Sequence, residues 1–134
     1  MEFPSDKPRL LIIEDDFENQ KLLQYYLRKN FIADVCDSSE SFSTKISGNK
    51  YDIFLIDISL NGDENGLDIT RRLREIKEYK NVPIVCISAH VFPKDKELAF
   101  ESGVDEFLER PIDNQKMLDI LIKVYKNKSG QILE

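Results

Sequence analysis

Four consecutive apolar residues, Ile53-Phe54-Leu55-Ile56, run straight into the carboxylate of Asp57, and this stretch constrains the fold more than any other. Apolar side chains fall on both alternating faces, so the strand they form must be covered on both sides. That places it in the middle of a sheet flanked by helices. Asp57 emerges where the strand stops, just before the polar loop Ser59 to Asn65. By itself such an aspartate is most simply a turn former. What the other strands deliver decides whether it is more.

Leu10 to Ile13 is a second fully apolar run, ending on Glu14-Asp15-Asp16, with Asp16 as the expected N-cap of a helix. In that helix Leu22, Leu23, Tyr26, Leu27 and Phe31 recur at three and four, defining one face. Ile32 to Cys36 is a half-polar strand suited to a sheet edge, and Asp37 and Ser38 can cap a helix that Gly48-Asn49 ends. After Asp57, Gly66 opens a helix with Leu67, Ile69, Leu73 and Ile76 as its apolar side; Arg71, Arg72 and Arg74 are expected on a solvated side. Ile84 to Ser88 is the next strand. A helix ending near Gly103, a short strand Glu106 to Glu109, and a last helix capped by Asp113 complete the pattern. That helix has Leu118, Leu121, Ile122 and Tyr125 on one face.

Five β-α repeats with buried strands predict an α/β fold: a doubly wound, five-stranded parallel sheet in the flavodoxin-like order 2-1-3-4-5. At 134 residues the chain suits one domain. The expected layout is a polar leader over 1–8, the folded domain over 9–126 and a tail over 127–134. No apolar run approaches the roughly 20 residues of a membrane span, and the first residues lack the apolar core of a secretory signal. The expected setting is the cytoplasm, without membrane contact. A net charge of −6 argues against direct nucleic-acid binding. Cys36 and Cys86 lie in strand-like stretches and are expected as buried, reduced thiols.

The predicted order makes strands one, three and four neighbours, so Glu14, Asp15, Asp57 and Ser88 meet at the carboxyl-terminal edge of the sheet, with Arg110 arriving after strand five. Three close carboxylates repel and call for a cation. Hard oxygen donors without His or Cys favour Mg²⁺. Such a site suits phosphoryl transfer onto a carboxylate: Asp57 as nucleophile, Asp15 holding the metal directly and Glu14 through water, Ser88 and Arg110 binding the phosphoryl oxygens.

From about Arg9 to Tyr125 the chain resembles the CheY-like receiver domain of two-component response regulators. The resemblance rests on Ile12-Ile13-Glu14-Asp15, Phe54-Leu55-Ile56-Asp57-Ile58-Ser59-Leu60, Gly66, Ile87-Ser88-Ala89, Ser102-Gly103-Val104-Asp105 and Arg110-Pro111-Ile112. It implies Asp57 as the site of aspartyl phosphate. It implies Asp15, Asp57 and the Ser59 carbonyl as Mg²⁺ ligands, with Glu14 in the outer shell. Ser88 and Phe107 would be a switch pair that repacks the face of helix four, strand five and helix five. The bond before Pro111 is expected cis.

The implied function is a single-domain receiver, taking its phosphoryl group from a histidine kinase or histidine phosphotransfer protein and signalling to a downstream protein. It is a phosphoacceptor with slow autodephosphorylation, not a turnover enzyme. Three departures stand out. Arg110 replaces the family lysine, which opens the alternative of a phosphorylation-independent pseudo-receiver binding module. The loop after Asp57 is one residue longer, with Asn61 where proline is common. No effector domain is expected after the receiver. His90 is expected as an exposed loop residue. A phosphohydrolase of the haloacid dehalogenase type would need an acid at position 59, where Ser59 stands; a flavin phosphate would be repelled by Glu14-Asp15-Asp16.

Overall fold

Strand β3 (Ile53–Asp57) is buried at every position and occupies the centre of a five-stranded sheet. The computed structural model of the chain describes residues 7–60, 64–89 and 92–129. Asn61 and His90 lie outside the described residues, as do residues 1–6 and 130–134. The strands β1 (Arg9–Ile13), β2 (Ile32–Cys36), β3, β4 (Ile84–Ser88) and β5 (Glu106–Glu109) stand in the order β2-β1-β3-β4-β5. All four neighbouring pairs are parallel, as the β-α alternation predicts.

The period-two alternation of the strands divides the core into two layers. Leu10, Ile12, Ile53, Leu55, Val85 and Ile87 face helices α1 (Phe17–Leu27) and α5 (Asn114–Ser129). Leu11, Ile13, Phe54, Ile56 and Cys86 face α2 (Ser39–Gly48), α3 (Gly66–Glu75) and α4 (Pro93–Ser102). Both layers are therefore closed by helices, which is why the central strands tolerate no polar residue before their ends. Cys36 and Cys86 are buried free thiols, and burial pushes both up to about 12.

Helices α1, α2 and α5 start where a side chain can accept their first free N–H groups. Asp16 accepts from the Asn19 N–H at 2.9 Å, and Ser38 from the Ser41 N–H at 3.1 Å. Asp113 takes the N–H groups of Gln115 and Lys116. Gly103 ends α4 with φ +113, a conformation that favours glycine, and a side chain there would also strike Arg74.

Four expectations need correction. In α1 only Leu23 and Leu27 are buried, while Leu22 and Tyr26 are exposed together with Phe17 and Tyr25. The stripe covered by the sheet is narrower than the apolar surface of the helix. In α5 the buried line is Met117, Leu121 and Val124; Leu118, Ile122 and Tyr125 are half-buried at its margins. Helix α5 also continues through Ser129, into the stretch expected as a tail over 127–134.

The fourth concerns Arg74, which is not on a solvated face. Its guanidinium donates to the carbonyls of Tyr79, Lys80, Val82 and Gly103 and pairs with Asp105 at 3.1 Å. It fastens the short 3-10 turn Lys77–Tyr79 and the α4–β5 corner to α3.

Candidate functional site

Register fixes which side chains meet at the upper edge of the sheet. Ile13 pairs with Ile56 and Asp57 with Ile87, so the next residues, Glu14 and Ser88, stand beside Asp57 on its two neighbouring strands. Glu14 is 2% exposed, Asp57 7% and Ser88 4%; these are polar groups held inside the end of a hydrophobic sheet. Among the described residues, Glu14, Asp15 and Asp57 form a group whose ligand oxygens all lie within 4.8 Å of one another. Asp15 is half-buried and supplies the more open carboxylate.

The Glu14 and Asp57 carboxylates are each oriented by the main chain. Glu14 Oε2 accepts from the Asp16 N–H at 3.1 Å, and its own carbonyl accepts from Gln20 Nε2 at 2.6 Å. Asp57 Oδ1 accepts from the Ser59 N–H at 2.8 Å. Arg110, which follows directly after β5 and precedes a cis bond to Pro111, reaches back across the edge. Its Nη2 donates to Glu14 Oε1 at 2.6 Å and to Asp57 Oδ2 at 3.3 Å. Burial raises the Glu14 carboxyl above its usual range and the Asp57 charge adds to this; the Asp16 N–H and Arg110 oppose it. A concentrated negative site reached by the Arg110 guanidinium suits a small, hard divalent ion, and the all-oxygen donor set fits Mg²⁺.

The loop after Asp57 is held tightly at both ends. The Ile58 N–H donates to the Ile87 carbonyl at 2.9 Å, and the Gly66 N–H to the Ile58 carbonyl at 3.2 Å. A Cβ on Gly66 would press on the Asp57 carbonyl and come within 2.8 Å of the Ile58 Cα, both main-chain obstacles. Gly66→Ala is therefore expected to cost about 2 kcal/mol in urea unfolding, because a well-packed backbone must shift. An unchanged midpoint would show that the loop yields freely.

The sequence reading missed two supports. Asn65 caps α3 by accepting from the Leu67 and Asp68 N–H groups, while Asp68 accepts from the Asn65 N–H at 3.0 Å. The reciprocal capping pattern of a polar residue followed three positions later by an acid was legible in the chain. Gln20, which clamps the Glu14 main chain, carried no such signal.

Ser88 opens onto a cavity of about 160 Å³ lined also by Ile58, Ser59, Leu67, Asp95 and Leu98. Phe107 pairs in register with Cys86, and Glu109 with Ser88, so Phe107 and Ser88 project from the same face of adjacent strands. The Phe107 ring is half-buried against the α2–α3–α4 layer, with Lys96 Nζ 6.0 Å from its centre.

The model of the response regulator receiver domain matches residues 10–122, and the chain belongs to that family. It is 31% identical over 116 residues to the two-component response regulator 24 of Arabidopsis thaliana, covering 85% of this chain and 81% of that protein. It is 28% identical over 130 residues to the hybrid signal transduction histidine kinase L of Dictyostelium discoideum, covering 92% of this chain but only 8% of the kinase. The chain spans about half the length or less of several of the curated relatives it matches.

A CheY-like receiver domain protein from Methanospirillum hungatei JF-1 superimposes with a TM-score of 0.85 over 95% of this chain and 100% of that one. At 14% identity this likeness speaks for the fold alone. Receiver domains of two-component systems are generally phosphoacceptors rather than turnover enzymes, bind Mg²⁺ at an acidic cluster and partner with histidine kinases or phosphotransfer proteins. Among the described residues no helix is long and apolar enough to cross a membrane.

Proposed function

We propose that this chain is a phosphorylatable receiver over residues 9–126, with Asp57 as the residue that takes the phosphoryl group from a partner's phosphohistidine. The observation that carries the reading is the convergence of Glu14, Asp15 and Asp57 from two adjacent strands, with Arg110 reaching the same oxygens. Asp15, Asp57 and the Ser59 carbonyl would hold Mg²⁺, with Glu14 acting through water; the ion supplies charge neutralisation to the transferring group.

An Asp57 oxygen attacks phosphorus in line as the P–N bond to the donor imidazole breaks, and the departing ring nitrogen keeps the bonding electrons and is protonated. The Ser59 N–H holds Asp57 Oδ1 and so orients the carboxylate for attack. Arg110 and the Ser88 hydroxyl donate to the new phosphoryl oxygens.

The move of Ser88 toward that group empties space behind it, which Phe107 fills from the same sheet face. The consequence is a change in the surface of α4, β5 and α5. A cavity of about 490 Å³ already lies there, lined by Lys96, Phe107, Glu109, Lys116 and Ile120 among others. A downstream protein reads that surface. The position of Arg110 within reach of Asp57 supports this reading over a phosphorylation-independent binding module, since the cation stands where a phosphoryl group needs one.

Intact-mass measurement after incubation with acetyl phosphate or phosphoramidate tests the proposal. One acid-labile phosphoryl group should appear with Mg²⁺ and vanish with EDTA. Wild-type protein that gains no mass overturns it.

A further inference from the structure

This inference rests on the reading of Glu14, Asp15 and Asp57 as a divalent-cation site. All four carboxylate oxygens of Glu14 and Asp57 are already engaged: Glu14 Oε2 by the Asp16 N–H, Asp57 Oδ1 by the Ser59 N–H, and the remaining two by one nitrogen, Arg110 Nη2. Arg110 thus already occupies part of the electrostatic role that a bound ion would fill. Its shorter contact, 2.6 Å, is to Glu14 and not to Asp57. Glu14 is almost wholly buried and its partner guanidinium about a quarter exposed, so solvent screens this pair only weakly.

We infer that Arg110 is a built-in competitor of the divalent ion: guanidinium and metal contend for Glu14 and Asp57, and Arg110 must leave Glu14 before the site binds the ion tightly. A phosphoryl group arriving at Asp57 offers the guanidinium a better partner, with oxygens that match its forked donors. Metal and phosphoryl group then favour each other through one side chain, and the coupling is reciprocal. Arg110 offsets part of the negative charge of Glu14 and Asp57 until donor and ion are present together.

The test is calorimetric titration of Mg²⁺ into the wild type, Arg110→Gln and Arg110→Lys, each with and without beryllofluoride as a phosphoryl mimic. Removing the positive charge beside the ion should tighten Mg²⁺ binding by about ten-fold or more in Arg110→Gln without the mimic. Arg110→Lys, which keeps a charge, should fall between. Beryllofluoride should strengthen Mg²⁺ binding to the wild type more than to Arg110→Gln.

Equal affinity in all three proteins, or weaker binding by Arg110→Gln, overturns the competition while leaving the metal site standing. No Mg²⁺ uptake by any of them, mimic present, sinks the metal-site reading as well. Should a variant fold poorly, the wild type suffices. The Arg110 Nε–H signal in NMR should shift in a saturable way as Mg²⁺ is added, and a signal that stays in place refutes the inference.

Discussion

Asp57→Asn is expected to lower phosphoryl uptake from small-molecule donors to background while the chain stays folded. The amide cannot act as the nucleophile, yet its oxygen can still accept from the Ser59 N–H that now binds Asp57 Oδ1. Arg110 keeps Glu14 as a partner at 2.6 Å, so no buried charge is stranded. Loss of the neighbouring negative charge also relieves Glu14, whose carboxyl is raised by burial and by Asp57. Urea unfolding of the variant should therefore lie within about 1 kcal/mol of the wild type. A variant that is phosphorylated at the wild-type rate would remove Asp57 from the chemistry.

The largest stability effect is expected at Arg74, far from that chemistry. Arg74→Ala removes the guanidinium donor from the carbonyls of Tyr79, Lys80, Val82 and Gly103 and takes a cation from Asp105, which keeps Lys128 and the Ile84 N–H. The side chain is only 17% exposed, so water replaces little of what is lost. The expected cost is about 3 kcal/mol, as for breaking a buried pair, and for a domain of this size about a 10 °C fall in Tm. Arg74→Lys should recover less than half of it, because one ammonium cannot reach acceptors spread over two connections. Arg71→Ala is the internal control. Arg71 is 54% exposed and pairs with Asp68 three residues earlier on the same helix, so about 1 kcal/mol or less is expected. Thermal melts in which the two variants match would contradict this assignment.

The contrast between these arginines shows where the sequence stops being legible. Three arginines within four residues look alike in a pattern of charge, and their default is solvent. Which of them turns inward depends on the Lys77–Tyr79 turn and the Gly103 corner, and these meet only in three dimensions. The exposed Leu22 and Tyr26 follow the same logic, since helical spacing gives an apolar side without saying how much of it a neighbouring sheet covers.

The strands were different. A parallel sheet closed on both faces demands unbroken apolar runs, and the residue that ends each run is necessarily at the edge. Glu14, Asp57 and Ser88 could therefore be placed together before any coordinates, and register sets them side by side. Arg110 was legible as a charge near that edge. That one of its nitrogens would touch both Glu14 and Asp57 depends on side-chain reach across two strands, which spacing along the chain does not carry.

The most direct test of the central claim is to find the bond itself. The wild type, loaded with phosphoramidate and Mg²⁺, is treated with borohydride, which reduces an acyl phosphate to an alcohol, and its peptides are mapped by mass. The account predicts homoserine in place of Asp57 in the peptide carrying β3 and no modification when Mg²⁺ is withheld. Reduction at another carboxylate, or a map unchanged throughout, would contradict it.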